Sequence, residues 1–281
     1  MTELHDLTAV EAVALLRSKR VSPLEMVDAA AKGIEAVDGQ VNALPIRFLD
    51  VAREEARTFR DSGEDAGPGW LAGLPIAVKD YNDVGGQLTT CGSPIYAGNV
   101  AAADDVTVAR MRARGAIPVA KSNVPEFAGS NTFNPVWGAT RNPWNLEMTA
   151  GGSSGGAAAA LASRQVWLAN GSCLGGSLRI PASFCGIVGL RPSPGTVPRG
   201  VGLPTFDSLW VEGPMARTVA DLALFLDAQA GAHVRDPLSR PAPAVSYSAQ
   251  QDRRRPPRRV GFSADLGLSR VDAEVAAICR A

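Results

Sequence analysis

Serines set in glycine-dense backbone are the residues of this 281-residue chain best suited to do chemistry. Ser153 and Ser154 lie in Gly-Gly-Ser-Ser-Gly-Gly (151–156), and Ser177 in Leu-Gly-Gly-Ser-Leu-Arg (174–179). Glycine loses more backbone freedom on folding than any other residue. Such density implies backbone that approaches something closely or aims N–H groups at developing negative charge. A serine hydroxyl attacks only when a base stands beside it. His5 and His233 are the only histidines, so a multi-histidine metal site is excluded and a Ser-His-Asp triad must use one of the two.

Three chemistries compete for these residues. A phosphate-binding loop needs a lysine directly after its second glycine, and Ala157 follows Gly156. A nucleophile elbow fits Gly152–Gly156 with Ser154 as nucleophile, and Asp221 or Asp227 and then His233 follow in hydrolase order. That elbow requires a strand just before the serine, however, and Asn-Pro-Trp-Asn (142–145) is turn material. His233, in Gly-Ala-His-Val, reads as a loop histidine. The remaining base is Lys79, which ends the apolar run Leu-Pro-Ile-Ala-Val-Lys (74–79). At its ordinary pKa of about 10.4 a lysine cannot accept a proton at neutral pH; burial would depress that value. Local sequence by itself favours the plainer alternative, a strand-end lysine paired with Asp80.

The elements that must position these groups read as an α/β fold. Thr8 and Glu11 form a capping box ahead of a helix carrying Val10, Val13, Leu15 and Leu16. Ser22-Pro23-Leu24-Glu25 repeats the device with proline at the first helical position, and Met26, Ala29, Ala30 and Ile34 follow at helical period. Residues 1–65 are expected to be a helical front end closed by a turn-rich linker at 63–69, with residues 66–281 the core of a single domain. Residues 74–80 read as a buried strand, 106–115 as a helix begun by Asp104-Asp105, and 117–120 as a second strand. Strand, helix and strand at this spacing predict crossover units and a largely parallel or mixed sheet under helices. The alanine-rich 155–163 predicts a helix with the first serine loop at its N-terminus. A strand is expected at 165–169, a capped helix from Arg217 through Leu226, a loop at 237–250, a last strand starting at 259–262 and a last helix at 271–280.

Twenty-eight basic and 28 acidic residues cancel, which gives no reason to expect nucleic acid or a membrane surface as partner. The basic cluster at 253–259 reads as a solvated connector. Cys91, Cys173, Cys185 and Cys279 lack metal-ligand spacing, so neither a metal nor a cofactor is expected. Their reduced state and the polar N-terminus point to the cytoplasm.

Taken together, Lys79, Ser153-Ser154 and Gly175-Gly176-Ser177 closely resemble the amidase signature family of serine hydrolases. The supporting segments are 73–80, 121–127, 140–145, 181–192 and 213–221, so the resemblance runs through essentially the whole chain. It implies a central mixed sheet with helices on both faces, hydrolysis of a small-molecule carboxylic amide, and a Ser-Ser-Lys triad. Lys79 would be the base, Ser153 a relay held by a cis peptide bond, and Ser177 the acylated nucleophile. Backbone N–H groups around Leu174, Gly175, Gly176 and Ser177 would form the oxyanion hole, with Ser154 supporting the loop and Arg179 organising it.

The sequence departs from the family pattern in two places. The family usually carries aspartate where Cys173 stands; a thiol is a weak donor and poor acceptor, so weaker support of the serine loops is expected. Family members are also longer, which implies a domain lacking its C-terminal portion and leaves room for a homodimer or a complementing C-terminal fragment. The neighbouring function is that of the tRNA-dependent amidotransferases, in their A-type chain, although that chain tends to have glutamine after the arginine where Ile180 stands. A catalytically impaired fragment or a binding protein is the non-enzyme alternative.

Overall fold

The computed structural model describes residues 3–61, 67–200, 204–251 and 258–281. Local capping signals decide the first helices. α1 (Ala9–Arg17) and α2 (Pro23–Val41) each begin at a complete capping box, Thr8 with Glu11 and Ser22 with Glu25. The front end also contributes something the helical pattern hides: β1 (Ile46–Arg47), a two-residue strand ahead of α3 (Leu49–Thr58), pairs antiparallel with the core. The expected linker at 63–69 lies largely outside the described residues.

β2 (Pro75–Lys79), α4 (Val106–Ala113) and β3 (Ile117–Ser122) form the expected crossover unit, with β2 and β3 parallel. Two small hairpins follow, β4 (Phe133–Asn134) with β5 (Gly138–Ala139), and β6 (Arg141–Asn142) with β7 (Asn145–Thr149). α5 (Gly155–Ala162) then leads to β8 (Leu168–Cys173), α6 (Arg179–Cys185), β9 (Val188–Gly189), β10 (Val211–Ala216) and α7 (Val219–Gln229). The short α8 (Tyr247–Gln251) and α9 (Ala273–Arg280) complete the described chain.

The main sheet runs β1-β3-β2-β8-β10-β9, with β2 parallel to β3 and β8 and the remaining pairs antiparallel. Successive side chains of a strand alternate between faces, and β2 shows it. Ile76 and Val78 enter an apolar layer with Trp70, Met111, Trp167 and Phe225. Ala77 enters the opposite layer with Ile34, Leu44, Ala157–Ala160 and Met215. The N-terminal helices supply residues to both layers, so this segment packs as part of the core.

Three expectations need correction. The strand foreseen at 165–169 begins at Leu168 and runs to Cys173. Arg164 takes a left-handed φ of 59° and the Gln165 N–H closes back on the Ala160 carbonyl, so these residues finish α5. No strand forms at 259–262, where Val260 is 75% and Phe262 58% exposed without a sheet partner among the described residues. The 237–250 loop ends in α8, whose first N–H groups, on Tyr247 and Ser248, are held by the Asp227 carboxylate. Of the basic cluster, 253–257 fall outside the described residues, and Arg258 and Arg259 are exposed.

Candidate active site

Alternation along β2 puts Lys79 on the face of Ala77, toward α5, and at the strand's C-terminal end. Its side chain is wholly buried. The Lys79 Nζ lies 2.7 Å from Ser153 Oγ, 2.8 Å from Ser154 Oγ and 3.0 Å from Ser172 Oγ. A neutral amine offers two donors and one lone pair, and hydroxyls both donate and accept, so three serines satisfy Lys79 without the third proton of an ammonium. Asp80 does not pair with it. That carboxylate lies 3.4 Å from the buried Lys121 Nζ and accepts from Thr90, so the plainer strand-end pairing is not what forms. Desolvation pulls the Lys79 pKa from 10.5 to about 7, against the opposing pull of negative charge on Glu212 and Cys173.

The serine loop owes its shape to tight packing. Gly152–Ser153 is a cis peptide bond, as the resemblance implies. Ser154 is the N-cap of α5 yet makes no capping hydrogen bond, because its hydroxyl turns to Lys79 instead. A Cβ on Gly155 would lie 2.3 Å from Thr132 Oγ1, and one on Gly156 2.3 Å from the Asn123 nitrogen. The glycines therefore let α5 press against neighbouring loops, with Gly155 N–H donating to Thr132 Oγ1 and Gly156 N–H to the Asn123 carbonyl.

Ser177 follows β8 at the entrance of α6, half-buried, and its hydroxyl makes no hydrogen bond among the described residues. Leu174 and Gly175 ahead of it are exposed. Gly176 is buried with φ +130°, and a Cβ there would lie 2.6 Å from Ile180 Cδ1. The structure thus brings Lys79, Ser153 and Ser154 into one hydrogen-bonded cluster and leaves the Ser177 hydroxyl uncommitted. Catalytic hydrogen bonds are often open before substrate binds.

Cys173 takes part in the hydrogen bonding of the second loop. Its Sγ accepts from the Gly176 N–H at 3.2 Å. Burial acts to raise the thiol pKa, but hydrogen bonds from Arg191 and from the Leu178 and Gly176 N–H groups outweigh it and leave the value lowered. Arg191 also donates to the Cys173 carbonyl. Arg179 is exposed and makes no hydrogen bond or ion pair among the described residues, so the arginine in contact with this loop is Arg191. His233 sits in a turn where its Nδ1 accepts from the Arg235 N–H, away from triad chemistry.

Sequence reasoning missed four groups. Asn170 Oδ1 accepts from the Lys79 N–H at 2.8 Å and its Nδ2 donates to Asn82 Oδ1, which locks β2 to β8 beside the lysine. Ser172, Arg191 and the buried Glu212 complete the surroundings. Only their long-range pairing marks them, since nothing in their local spacing relates them to Lys79. Among the described residues no cluster of side chains could hold a metal ion, and no helix is long and apolar enough to cross a membrane. All four cysteines are unpaired.

A mixed sheet with helices on both faces, carrying a buried lysine among serines, defines the class: an α/β protein with a serine–lysine site. The chain belongs to the amidase family, whose model matches residues 25–280. It is 43% identical to the A-type chain of the glutamyl-tRNA(Gln) amidotransferase of Moorella thermoacetica, over 99% of this chain and 58% of that protein. It is 41% identical to an acylamidase of Rhodococcus erythropolis, over 99% of this chain and 59% of that protein. Among solved structures, 6-aminohexanoate cyclic dimer hydrolase complexed with substrate superposes with a TM-score of 0.88 at 34% identity, covering 99% of this chain and 58% of that one. The chain thus spans a little under three-fifths of the length of these relatives.

Proposed function

We propose that the protein hydrolyses a carboxylic amide through an acyl-enzyme on Ser177. The observation that carries this is the buried Lys79 amine, its pKa depressed by desolvation, in hydrogen-bond contact with Ser153. Neutral Lys79 takes the Ser153 proton while Ser153 takes that of Ser177, whose oxygen bonds to the amide carbon. The carbonyl π pair moves to oxygen, where backbone N–H groups of the 174–177 loop stabilise it; one such donor is typically worth roughly 3 kcal/mol. As the C–N bond breaks, Ser153 returns a proton to the leaving amine and regains one from Lys79. Water then cleaves the ester by the same relay, giving acid and free Ser177.

Relatives named acylamidase and cyclic dimer hydrolase support amide hydrolysis as the reaction class. The relatives named as amidotransferase chains support a second reading, in which the protein works beside a partner chain. Exposed Trp144, Met148, Leu174, Ile180 and Phe184 support a macromolecular cover for the face around the Ser177 loop, a complementing C-terminal fragment or a second copy of this chain. Unpaired cysteines support a reducing, cytoplasmic setting.

A fluorophosphonate probe tests the proposal. Wild-type protein should be labelled, Ser177→Ala not at all, and Lys79→Ala slower by roughly 10³-fold or more, as expected when a catalytic unit loses its base. Well-folded wild type without Ser177-dependent labelling overturns the enzyme reading. Co-purification with a second, different chain would select the amidotransferase-like form.

A further inference from the structure

Glu212 is a buried carboxylate that the proposed reaction does not use. It lies in β10 directly opposite Ser172 of β8, and side chains of such a pair project to the same face about 5 Å apart. Ser172 Oγ is in turn 3.0 Å from Lys79 Nζ. Glu212 is 4% exposed. Its Oε1 accepts from the Trp210 indole N–H at 3.0 Å, and its Oε2 is buried without any hydrogen-bond partner. A buried carboxylate with one oxygen unanswered keeps its charge only beside a cation, and otherwise holds a proton.

We propose that Glu212 is a positioning residue that governs the proton on Lys79, acting as its counter-charge from across Ser172. The inference rests on Lys79 serving as the base. A lysine and a carboxylic acid buried together exist either as two neutral groups or as an ion pair, and both states carry no net charge. Neutral Lys79 is the base, and where Glu212 is already ionised its carboxylate offsets the ammonium that forms when Lys79 takes the serine proton.

Other charges face the pair from each packed element. Cys173 on β8 pulls Lys79 in the same direction as Glu212. The Tyr81 ring lies 4.9 Å from Lys79 Nζ, with its hydroxyl kept protonated by burial. Asp105 at the start of α4 opposes ionisation of Glu212, and Arg199 before β10 favours it while bound to Asp207. Burial dominates, and Glu212 is pushed up to about 7.

Lysine composition makes the test direct, because Lys19, Lys32, Lys79 and Lys121 are the only lysines. With ¹³Cε-labelled lysine, four resonances can be followed against pH and Lys79 assigned by Lys79→Arg. Glu212→Gln should lower the Lys79 midpoint by roughly one pH unit, the small end of the effect of an adjacent opposite charge, and leave Lys121 unmoved. Trp210→Phe, which removes the hydrogen bond to the carboxylate, should move it the same way by less. A folded Glu212→Gln with an unchanged Lys79 midpoint overturns the proposal, as does an unchanged midpoint in Trp210→Phe if the first variant does not fold. The readout needs no turnover, so a Lys79 shift in protein that fails to label places the fault with the enzyme reading.

Discussion

Whether Lys79 works as a base depends on the proton it lacks near neutral pH. Its folded pKa lies below the ordinary lysine value, so the base form grows as pH rises through about 7. The Ser177 labelling rate should therefore increase about tenfold per pH unit on the acid side and level off above, a slope set by one titrating group. A rate that keeps climbing toward pH 10 would mean that Lys79 titrates like an exposed lysine. Cys173 is the other residue of consequence. Aspartate there offers two carboxylate oxygens to the Gly176 and Leu178 N–H groups, where the Cys173 sulfur offers one soft acceptor. Cys173→Asp should raise the labelling rate several-fold. Its added fixed charge near Lys79 should also move the acid limb to higher pH, because a nearby anion favours the ammonium.

At the scale of elements, the glycines of the two serine loops are not equivalent. Gly155 and Gly156 are required by contact, whereas Gly175 faces open space. Gly156→Ala sets a Cβ against the backbone of Asn123 and Ala43, which cannot move aside like a side chain, and should cost about 3 kcal/mol or more. Gly175→Ala should change stability by less than roughly 0.5 kcal/mol. Denaturant midpoints of the two variants check the contrast. Helix starts were legible in sequence because a cap is a local device: Thr8, Ser22, Asp105 and Thr218 all cap as their spacing implies. β8 was not legible at its true limits. Asn170, Gly171 and Ser172 carry no strand signature; they extend the strand because β10 pairs with them, while β2 pairs with Leu168 and Ala169 ahead of them. The stretch at 259–262 shows the converse: strand-like composition without a partner forms no strand.

Across the whole molecule, order of packing falls off toward the C-terminal segment. Residues 258–281 are exposed almost throughout, and Val275 and Ile278 of α9 stay in solvent at 51% and 67% exposure. A helix of eight residues that buries so little surface is marginal. Limited trypsin digestion should therefore cut first at Arg258, Arg259 or Arg270, and the trimmed protein should keep its thermal midpoint. A marked fall in that midpoint would show that the segment braces the core.

The sequence alone determined the capped helices, the crossover unit, the serine loops and the scarcity of histidine. All of these follow from residue type and short-range spacing. Tertiary structure decided which groups surround Lys79. Register across β2, β8 and β10 brings Asn170, Ser172 and Glu212 to it and takes Asp80 away to Lys121. A proton's affinity for lysine is set by solvent and by charges within a few ångströms, and neither exists until distant strands have paired.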